Sequence, residues 1–224
     1  MIDRASVEER LFPLALAILE RMHGRDGMAR GMAEYAVTVE TEAKALGERP
    51  VACRAGCPHC CVLNVTVLLP EAAAIAAWLD ERLSPAEVAA LVTRLDRQRR
   101  LVRWMEDGER IRRQFRCPFL DSGGNCTIHP VRPLTCRGVT SLDRELCREA
   151  LDPAEPDREA AVPMDMVNKL VMEEAFCALG RALAVSGREP RGIELSAGVL
   201  AFLTRPELVG LLLDGGRFPQ ELWE

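Results

Sequence analysis

Cysteine spacing is the feature that most constrains the fold of this chain. Four cysteines lie within the nine residues from Cys53 to Cys61, and four more follow between Cys117 and Cys147. Gaps of three and two residues let several sulfurs converge from one tight turn, and the intervening glycine and proline shape such a turn without regular hydrogen bonds. Clustered thiols that are kept reduced usually bind metal. We therefore predict that this region folds around a metal centre.

The predicted metal ligands are the cysteines of both halves of this cluster. They are Cys53, Cys57, Cys60, Cys61, Cys117, Cys126, Cys136 and Cys147. Residues 62–116 separate the halves, and a shared site would offset the entropy of closing that loop. Adjacent cysteines can hardly both bind one small ion in ideal geometry, so one of Cys60 and Cys61 is a core residue or the pair faces two metals. We expect one spatial cluster that includes Cys57, Cys60, Cys126 and Cys136.

The number of thiols bears on which metal is bound. More thiolates are present than one zinc ion can use, and iron–sulfur clusters take up several, so we favour iron–sulfur. Two zinc ions would explain the same count. His59 and His129 lie inside the cluster and would suit zinc as ligands. Each is equally compatible with a role as hydrogen-bond partner of a ligand or with a surface position.

Two arginines in the cluster each have two possible roles, and the ninth cysteine is interpreted separately. Arg132 and Arg137 either donate hydrogen bonds to thiolates or sulfides, or fix a loop by pairing with Asp121 or Asp143. Cys177 lies outside the cluster, in a segment with helical periodicity. A small buried hydrophobe is the favoured interpretation of Cys177, because free cysteine is among the most buried residue types.

Apolar periodicity indicates a mainly α fold. Residues spaced by three and four predict helices that begin near residues 6, 27, 70, 85 and 163, and two short helices near 196–203 and 206–213. Ser84 and Glu87 form a predicted capping box, and Gly47 is a predicted helix stop. Residues 62–68 contain enough β-branched side chains for one short strand.

The cysteine-rich region itself is predicted to be irregular. Residues 117–140 are interrupted by prolines and glycines and cannot form regular structure over their length. Something other than a backbone ladder must hold them, and metal is the plausible clamp. We therefore predict one compact helical domain over residues 1–224, with the cysteine-cluster core at about 50–150 and at most a short strand.

Composition excludes several classes of partner. The formal net charge is −5 at pH 7, and aromatic residues make up 4% of the chain, so neither nucleic acid nor a membrane is an expected partner. Acidic residues interrupt the arginines between positions 94 and 116, which indicates a solvated helix face. No segment approaches the roughly 20 apolar residues that span a bilayer. Acidic residues before the apolar stretch 11–19 argue against a secretory leader, so we expect a cytoplasmic protein.

The cysteine pattern resembles that of the YkgJ-type cysteine cluster family. The resemblance is carried by Cys53-x3-Cys57-x2-Cys60-Cys61, by Cys117-Pro-Phe-Leu, and by the run Cys126-Thr-Ile-His129-Pro-Val-Arg132-Pro-Leu-Thr-Cys136-Arg137. It covers about residues 50 to 150, and the second half is the more specific because that run is long and unusual. The chain departs from the family in its first gap, which is commonly two residues, and in His129, where tyrosine is usual. The resemblance implies chelation of zinc or iron.

Two further resemblances concern the reaction. A similar cluster occurs in flagellin lysine N-methylases, which look like iron–sulfur proteins that use S-adenosylmethionine. The spacing of Cys53, Cys57 and Cys60 is also similar to that of radical S-adenosylmethionine enzymes, but the sequence lacks the alternating strand and helix pattern of their barrel.

The hypothesis is therefore a metal-binding protein whose iron–sulfur or zinc centre supports electron or methyl transfer. S-adenosylmethionine or a protein would be its partner. The alternative is a zinc-stapled structural or interaction module without catalysis, so the sequence leaves open whether the chain is an enzyme.

Overall fold

Helices make up most of the computed structural model, which describes residues 3–47, 49–152, 154 and 161–223. This described part contains ten α-helices and one two-stranded sheet, so the predicted mainly α class is confirmed. The helices are α1 (Arg4–Arg21), α2 (Gly24–Ala45), α3 (Leu69–Asp80), α4 (Pro85–Val102), α5 (Asp107–Arg113), α6 (Leu134–Gly138), α7 (Arg144–Ala150), α8 (Met166–Val185), α9 (Leu195–Thr204) and α10 (Leu208–Leu213). The strands β1 (Thr66–Val67) and β2 (Ile193–Glu194) pair antiparallel.

The long helix α8 lies at the centre of the helical core. It packs against α1, α2 and α6, whereas α9 packs against α3 and α4. Val171, Ala175 and Leu179 of α8 are fully buried at the predicted spacing of four. The Tyr35 hydroxyl of α2 donates to the Ala175 carbonyl oxygen at 2.8 Å, which satisfies the polar end of a fully buried ring. Among the described residues, none of the helices combines the length and the apolar character needed to cross a membrane.

Local signals set several helix ends. The Ser84 backbone N–H donates to the Glu87 carboxylate at 2.8 Å and the Glu87 N–H donates to Ser84 Oγ at 3.4 Å, which confirms the capping box of α4. Gly47 follows α2 with φ of +91°, in the left-handed region that glycine enters without steric cost, so it is the predicted stop. The predicted first helix is present and begins at Arg4, two residues before the expected start, with the Asp3 side chain as its N-cap and Pro13 in its interior.

The predicted strand is much shorter than its β-branched sequence suggested. Only Thr66 and Val67 form β1, opposite Glu194 and Ile193 of β2. The residues before it, His59–Val62, wind into a 3-10 helix instead. This turn carries the adjacent residues Cys60 and Cys61. Val62, which was predicted at the start of the strand, therefore belongs to the cysteine-bearing turn and not to the sheet.

Candidate metal centre

The first half of the cysteine cluster is a loop followed by a 3-10 turn. Gly56 has φ of +75°, which a side chain would strain, and it separates Cys53 from Cys57. The Cys61 N–H then donates to the Pro58 carbonyl oxygen at 3.0 Å and closes the turn that carries Cys60 and Cys61. The glycine and proline therefore shape this segment as the sequence predicted.

The second half begins with a short hairpin. Cys117 lies at the start of its first arm, and Cys126 bridges Leu120 in antiparallel fashion. The Thr127 N–H donates to the Phe119 carbonyl oxygen at 2.8 Å. The two thiols thus lie on paired arms, and Phe119, which is fully buried, anchors the hairpin in the core.

One aspartate closes the turn of this hairpin. The Asp121 carboxylate accepts hydrogen bonds from the backbone N–H groups of Gly123 and Asn125, both at 2.8 Å. The Asn125 side-chain amide donates to the same carboxylate at 3.2 Å. These bonds, led by those from Asn125, hold the pKa of Asp121 below its ordinary value. Asp121 is therefore a turn residue and not a partner of either arginine.

Backbone hydrogen bonds join the two halves. The Cys117 N–H donates to the Cys61 carbonyl oxygen at 2.7 Å. The Ala52 N–H donates to the Ser141 carbonyl oxygen at 2.8 Å, and the Cys53 sulfur lies 4.0 Å from that same oxygen. The chain therefore does fold back between residues 62 and 116, as the single-site hypothesis required.

Two short helices carry the last two cysteines of the cluster. Cys136 lies on α6, and the Asn168 amide of α8 donates to the Arg137 carbonyl oxygen at 2.8 Å, which ties α6 to the core. Cys147 lies on α7, whose N-terminus is capped by the Asp143 carboxylate.

A buried glutamate also fixes α6. The Glu71 carboxylate accepts from the Leu134 N–H at 2.8 Å and from the Leu68 N–H at 2.9 Å, so it joins the N-termini of α6 and α3. Burial raises the pKa of Glu71 to about 7. Sequence reasoning missed this role, although a glutamate just after Pro70 is the kind of residue that caps a first turn.

All eight predicted ligands line one cavity of about 1150 Å³. Seven of them are partly buried and Cys53 is exposed, and every cysteine is a free thiol. Within the described residues, no three Cys, His, Asp or Glu side chains are placed to hold a single metal ion. The thiols are therefore gathered around one space, and their assignment as ligands stays a prediction.

Electrostatic coupling divides the eight thiols into two groups that share Cys60. In the inner group, burial and then repulsion by neighbouring thiolates raise the pKa of Cys136. The same two causes raise the pKa of Cys147 to about 11 in the outer group. The inner group is Cys60, Cys61, Cys117, Cys126 and Cys136, and the outer group is Cys53, Cys57, Cys60 and Cys147.

The adjacent pair Cys60 and Cys61 behaves as one unit. The Cys61 thiol, as hydrogen-bond partner, lowers the pKa of Cys60 to about 7, and the charge of Arg132 acts in the same direction. The same contact raises the pKa of Cys61. Cys60 is therefore the thiol of this pair that ionises first, and thiolate is the form that binds metal.

The interpretation of Cys177 as a buried hydrophobe was wrong. Its side chain is exposed and lines the same cavity as the cluster. The buried stripe of α8 runs through Val171, Ala175 and Leu179, and position 177 lies about 200° around the helix from position 175. Helical periodicity alone would have placed it off the stripe.

The surroundings of both histidines of the cluster favour the neutral imidazole over the charged form. Burial is the main cause that lowers the pKa of His59 and of His129, and nearby arginine charges add to it. A neutral imidazole is the form that binds zinc. His129 lines the cavity, on the 3-10 turn His129–Val131.

The two arginines of the cluster play different parts. Arg137 forms an ion pair with Glu40, and its guanidinium also donates to the carbonyl oxygens of Arg132 at 2.7 Å and Pro130 at 2.9 Å. The alternative pairing of Arg137 with Asp121 or Asp143 was therefore wrong. Arg132 lines the cavity, and its Nε is buried without a hydrogen-bond partner in the described part of the chain.

A third arginine at the cavity was misjudged from the sequence. Arg110 was predicted on a solvated helix face, but it is 2% exposed. Its Nε donates to the Phe115 carbonyl oxygen at 3.0 Å and its Nη1 donates to Asn64 Oδ1 at 3.1 Å, with Glu194 4.0 Å away. The acidic residues along α5 favoured the prediction of a solvated position from the sequence. Arg110 is buried because α5 packs on the first half of the cluster.

The donor set fits a metal centre. Free thiols from five separate segments line one space, and the pKa of one of them is lowered to about 7. The same space is lined by Arg132, whose Nε has no hydrogen-bond partner among the described residues. Metal-bound thiolates need these conditions, because a coordinating thiol is deprotonated and its charge needs compensation.

Comparison with known proteins agrees with this chemistry. Residues 52–156 match the CxxCxxCC family model, which is described as a "putative zinc- or iron-chelating domain". Searches of curated proteins and of solved structures gave no match. The matched range contains all eight predicted ligands, the hairpin, α6 and α7. Residues 52–156 are therefore similar to the domain that this family model describes.

Proposed function

We propose that the cysteine cluster holds an iron–sulfur centre that serves electron or methyl transfer. The observation that supports this most strongly is that eight thiols surround one cavity of about 1150 Å³. A structural zinc site uses four ligands and is closed, whereas iron–sulfur clusters employ several thiolates and can leave an iron open. Ligand pockets usually measure roughly 300–1000 Å³, so this cavity has room for an organic molecule beside the centre.

The two groups of thiols suggest how the centre would be held. The inner group is partly buried and lies on the hairpin, the 3-10 turn and α6, so it would supply the permanent ligands. The outer group includes the exposed Cys53 and lies towards solvent. When bound, such a centre supplies an electron or an open coordination position. Apolar side chains of the cavity, including Ile128, Met172 and Phe176, would exclude water from it.

The second candidate function is a zinc-stapled structural or interaction module. The hairpin favours it, because Cys117 and Cys126 lie on paired arms and the Cys117 N–H is bonded to the Cys61 carbonyl oxygen at 2.7 Å. This backbone already holds three thiol-bearing residues without help from a cofactor. Closed zinc sites need such fixed ligands and no cavity for substrate.

Anaerobic purification distinguishes the two candidates. We expect iron and acid-labile sulfide in the purified protein, visible absorption that bleaches with dithionite, and an electron paramagnetic resonance signal in the reduced state. A change of that signal on addition of S-adenosylmethionine would identify this molecule as the partner and favour methyl transfer. A colourless protein with stoichiometric zinc would support the structural module, and a protein with only traces of iron and zinc would refute metal binding altogether.

The free thiols also bear on where the protein works. Thiols that bind a metal are kept reduced in the cytosol, whereas an oxidising compartment favours their conversion to disulfides. We therefore assign the protein to the cytoplasm as part of this proposal. Fractionation of the native source with an antibody against the chain would test the assignment.

A further inference from the structure

Arg132 is a half-buried arginine whose Nε is inaccessible and has no hydrogen-bond partner in the described part of the chain. No hydrogen bond or ion pair of its guanidinium is present among the described residues. A charged N–H donor withdrawn from water is costly unless an acceptor compensates it. Another cavity arginine, Arg110, has two acceptors and a carboxylate nearby. Arg132 therefore lacks the compensation that Arg110 has.

The surroundings of Arg132 identify the missing anion. The residue lines the same cavity as the inner thiols, which include Cys60, Cys126 and Cys136. A metal centre bound by several thiolates carries net negative charge, because the thiolates outnumber the charge of the metal. That charge would lie beside the unpaired guanidinium.

The backbone of this segment is held by the second arginine. Arg137 donates to the carbonyl oxygens of Arg132 and Pro130 and pairs with Glu40, so it anchors the turn to α2. Pro133 follows directly and restricts the backbone of Arg132 further. The backbone of Arg132 is fixed while its guanidinium makes no bond of its own.

We propose that Arg132 is a positioning residue that donates its Nε–H to a ligand sulfur and balances the negative charge of the thiolate centre. This inference rests on the proposed metal centre and names the residue that tunes it. Removing the charge makes the oxidised state of the centre relatively more stable and weakens the hold of the thiolates on the metal.

The test compares Arg132→Gln with Arg132→Lys, which keeps the charge, and with Arg97→Gln, an exposed arginine on α4. Metal transfer to the chelator 4-(2-pyridylazo)resorcinol should be about tenfold faster in Arg132→Gln than in wild type. It should stay within about twofold of wild type in the other two variants. A redox-active centre should also show a more negative midpoint potential in Arg132→Gln only. Circular dichroism spectra confirm that the variants are folded.

Three results would overturn the proposal. One is an Arg132→Gln variant that matches Arg97→Gln in both release rate and potential. Another is an Arg132→Lys variant that loses metal as fast as Arg132→Gln. If Arg132→Gln does not fold, the release rate of Arg132→Lys is compared with that of wild type alone, and a rate more than about twofold faster overturns the proposal. Metal transfer to the chelator can be measured for zinc as well as for iron. A wild type that binds zinc therefore refutes the iron–sulfur proposal, and the release rates of the Arg132 variants still test the role of Arg132. A wild type that holds no metal would refute both.

Discussion

Glu71 shows how one buried carboxylate sets the position of a cysteine-bearing helix. Its two oxygens accept from the Leu68 and Leu134 backbone N–H groups, so α3 and α6 begin at the same side chain. First-turn N–H groups have no partner within a helix, and a carboxylate satisfies them well. Burial nevertheless raises the pKa of Glu71 to about 7, because desolvation of the ion outweighs these bonds.

The raised pKa predicts a pH-dependent stability. The folded-state pKa lies above the ordinary value of 4.5, so the stability that Glu71 contributes is fully present below that value and is lost as the pH rises through about 7. Between about pH 5 and 8.5 the free energy of unfolding of wild type should fall relative to Glu71→Gln, by on the order of 3 kcal/mol. Urea titrations at both pH values measure it. Equal pH dependence of wild type and variant would contradict the expectation, and Glu81→Gln, at an exposed position, is the control.

Cys136 and Cys177 offer a matched pair of substitutions in one cavity. Cys136 belongs to the inner group of thiols, whereas Cys177 lies outside the predicted ligand set. Cys136→Ala should release most of the metal, because a centre that loses one thiolate loses affinity and folding energy together. Cys177→Ala should retain it. Elemental analysis of both variants after anaerobic purification checks this, and equal metal content in the two would remove Cys136 from the ligand set.

The hairpin is the element on which the geometry of the inner thiols depends. Asp121 replaces the regular hydrogen bonds that the glycine-rich turn lacks, and it is exposed, so its loss leaves no cavity. Asp121→Ala should lower the free energy of unfolding by about 1–2 kcal/mol. It should also speed metal loss to a chelator. The control is Glu20→Ala, an exposed carboxylate on α1, and identical release rates would show that the turn does not position Cys117 and Cys126.

Across the whole molecule, the helical core and the cysteine region should respond differently to metal removal. The α1 and α8 pair buries a continuous apolar face, whereas residues 117–140 have few backbone bonds to the core. Chelation should therefore increase amide hydrogen exchange in 117–140 while residues 171–183 stay protected. Exchange measured by mass spectrometry before and after chelation tests this. Uniform loss of protection would mean that the two parts unfold as one unit, and no change would mean that metal does not clamp the region.

Much of the fold could be predicted from local pattern. The apolar spacing of α2, α4 and α8 placed these helices correctly, because side chains three and four apart share one face whatever they pack against. The capping box at Ser84 and the stop at Gly47 are likewise local. The spacing of the cysteines was sufficient to predict the resemblance to the zinc- or iron-chelating domain model that residues 52–156 match.

Long-range packing decided the rest. Arg110 is buried although a solvated position was predicted, and Cys177 is exposed although a buried position was predicted. The neighbours that determine burial come from distant parts of the chain, so the local pattern does not reveal them. Contacts between distant segments also account for three other features. They are the grouping of the thiols around Cys60, the joining of α3 and α6 by Glu71, and the unpartnered Nε of Arg132. Residue type and spacing specify which groups are able to bind metal. Only the contacts between distant segments determine which of them face one another and which charges remain without a partner.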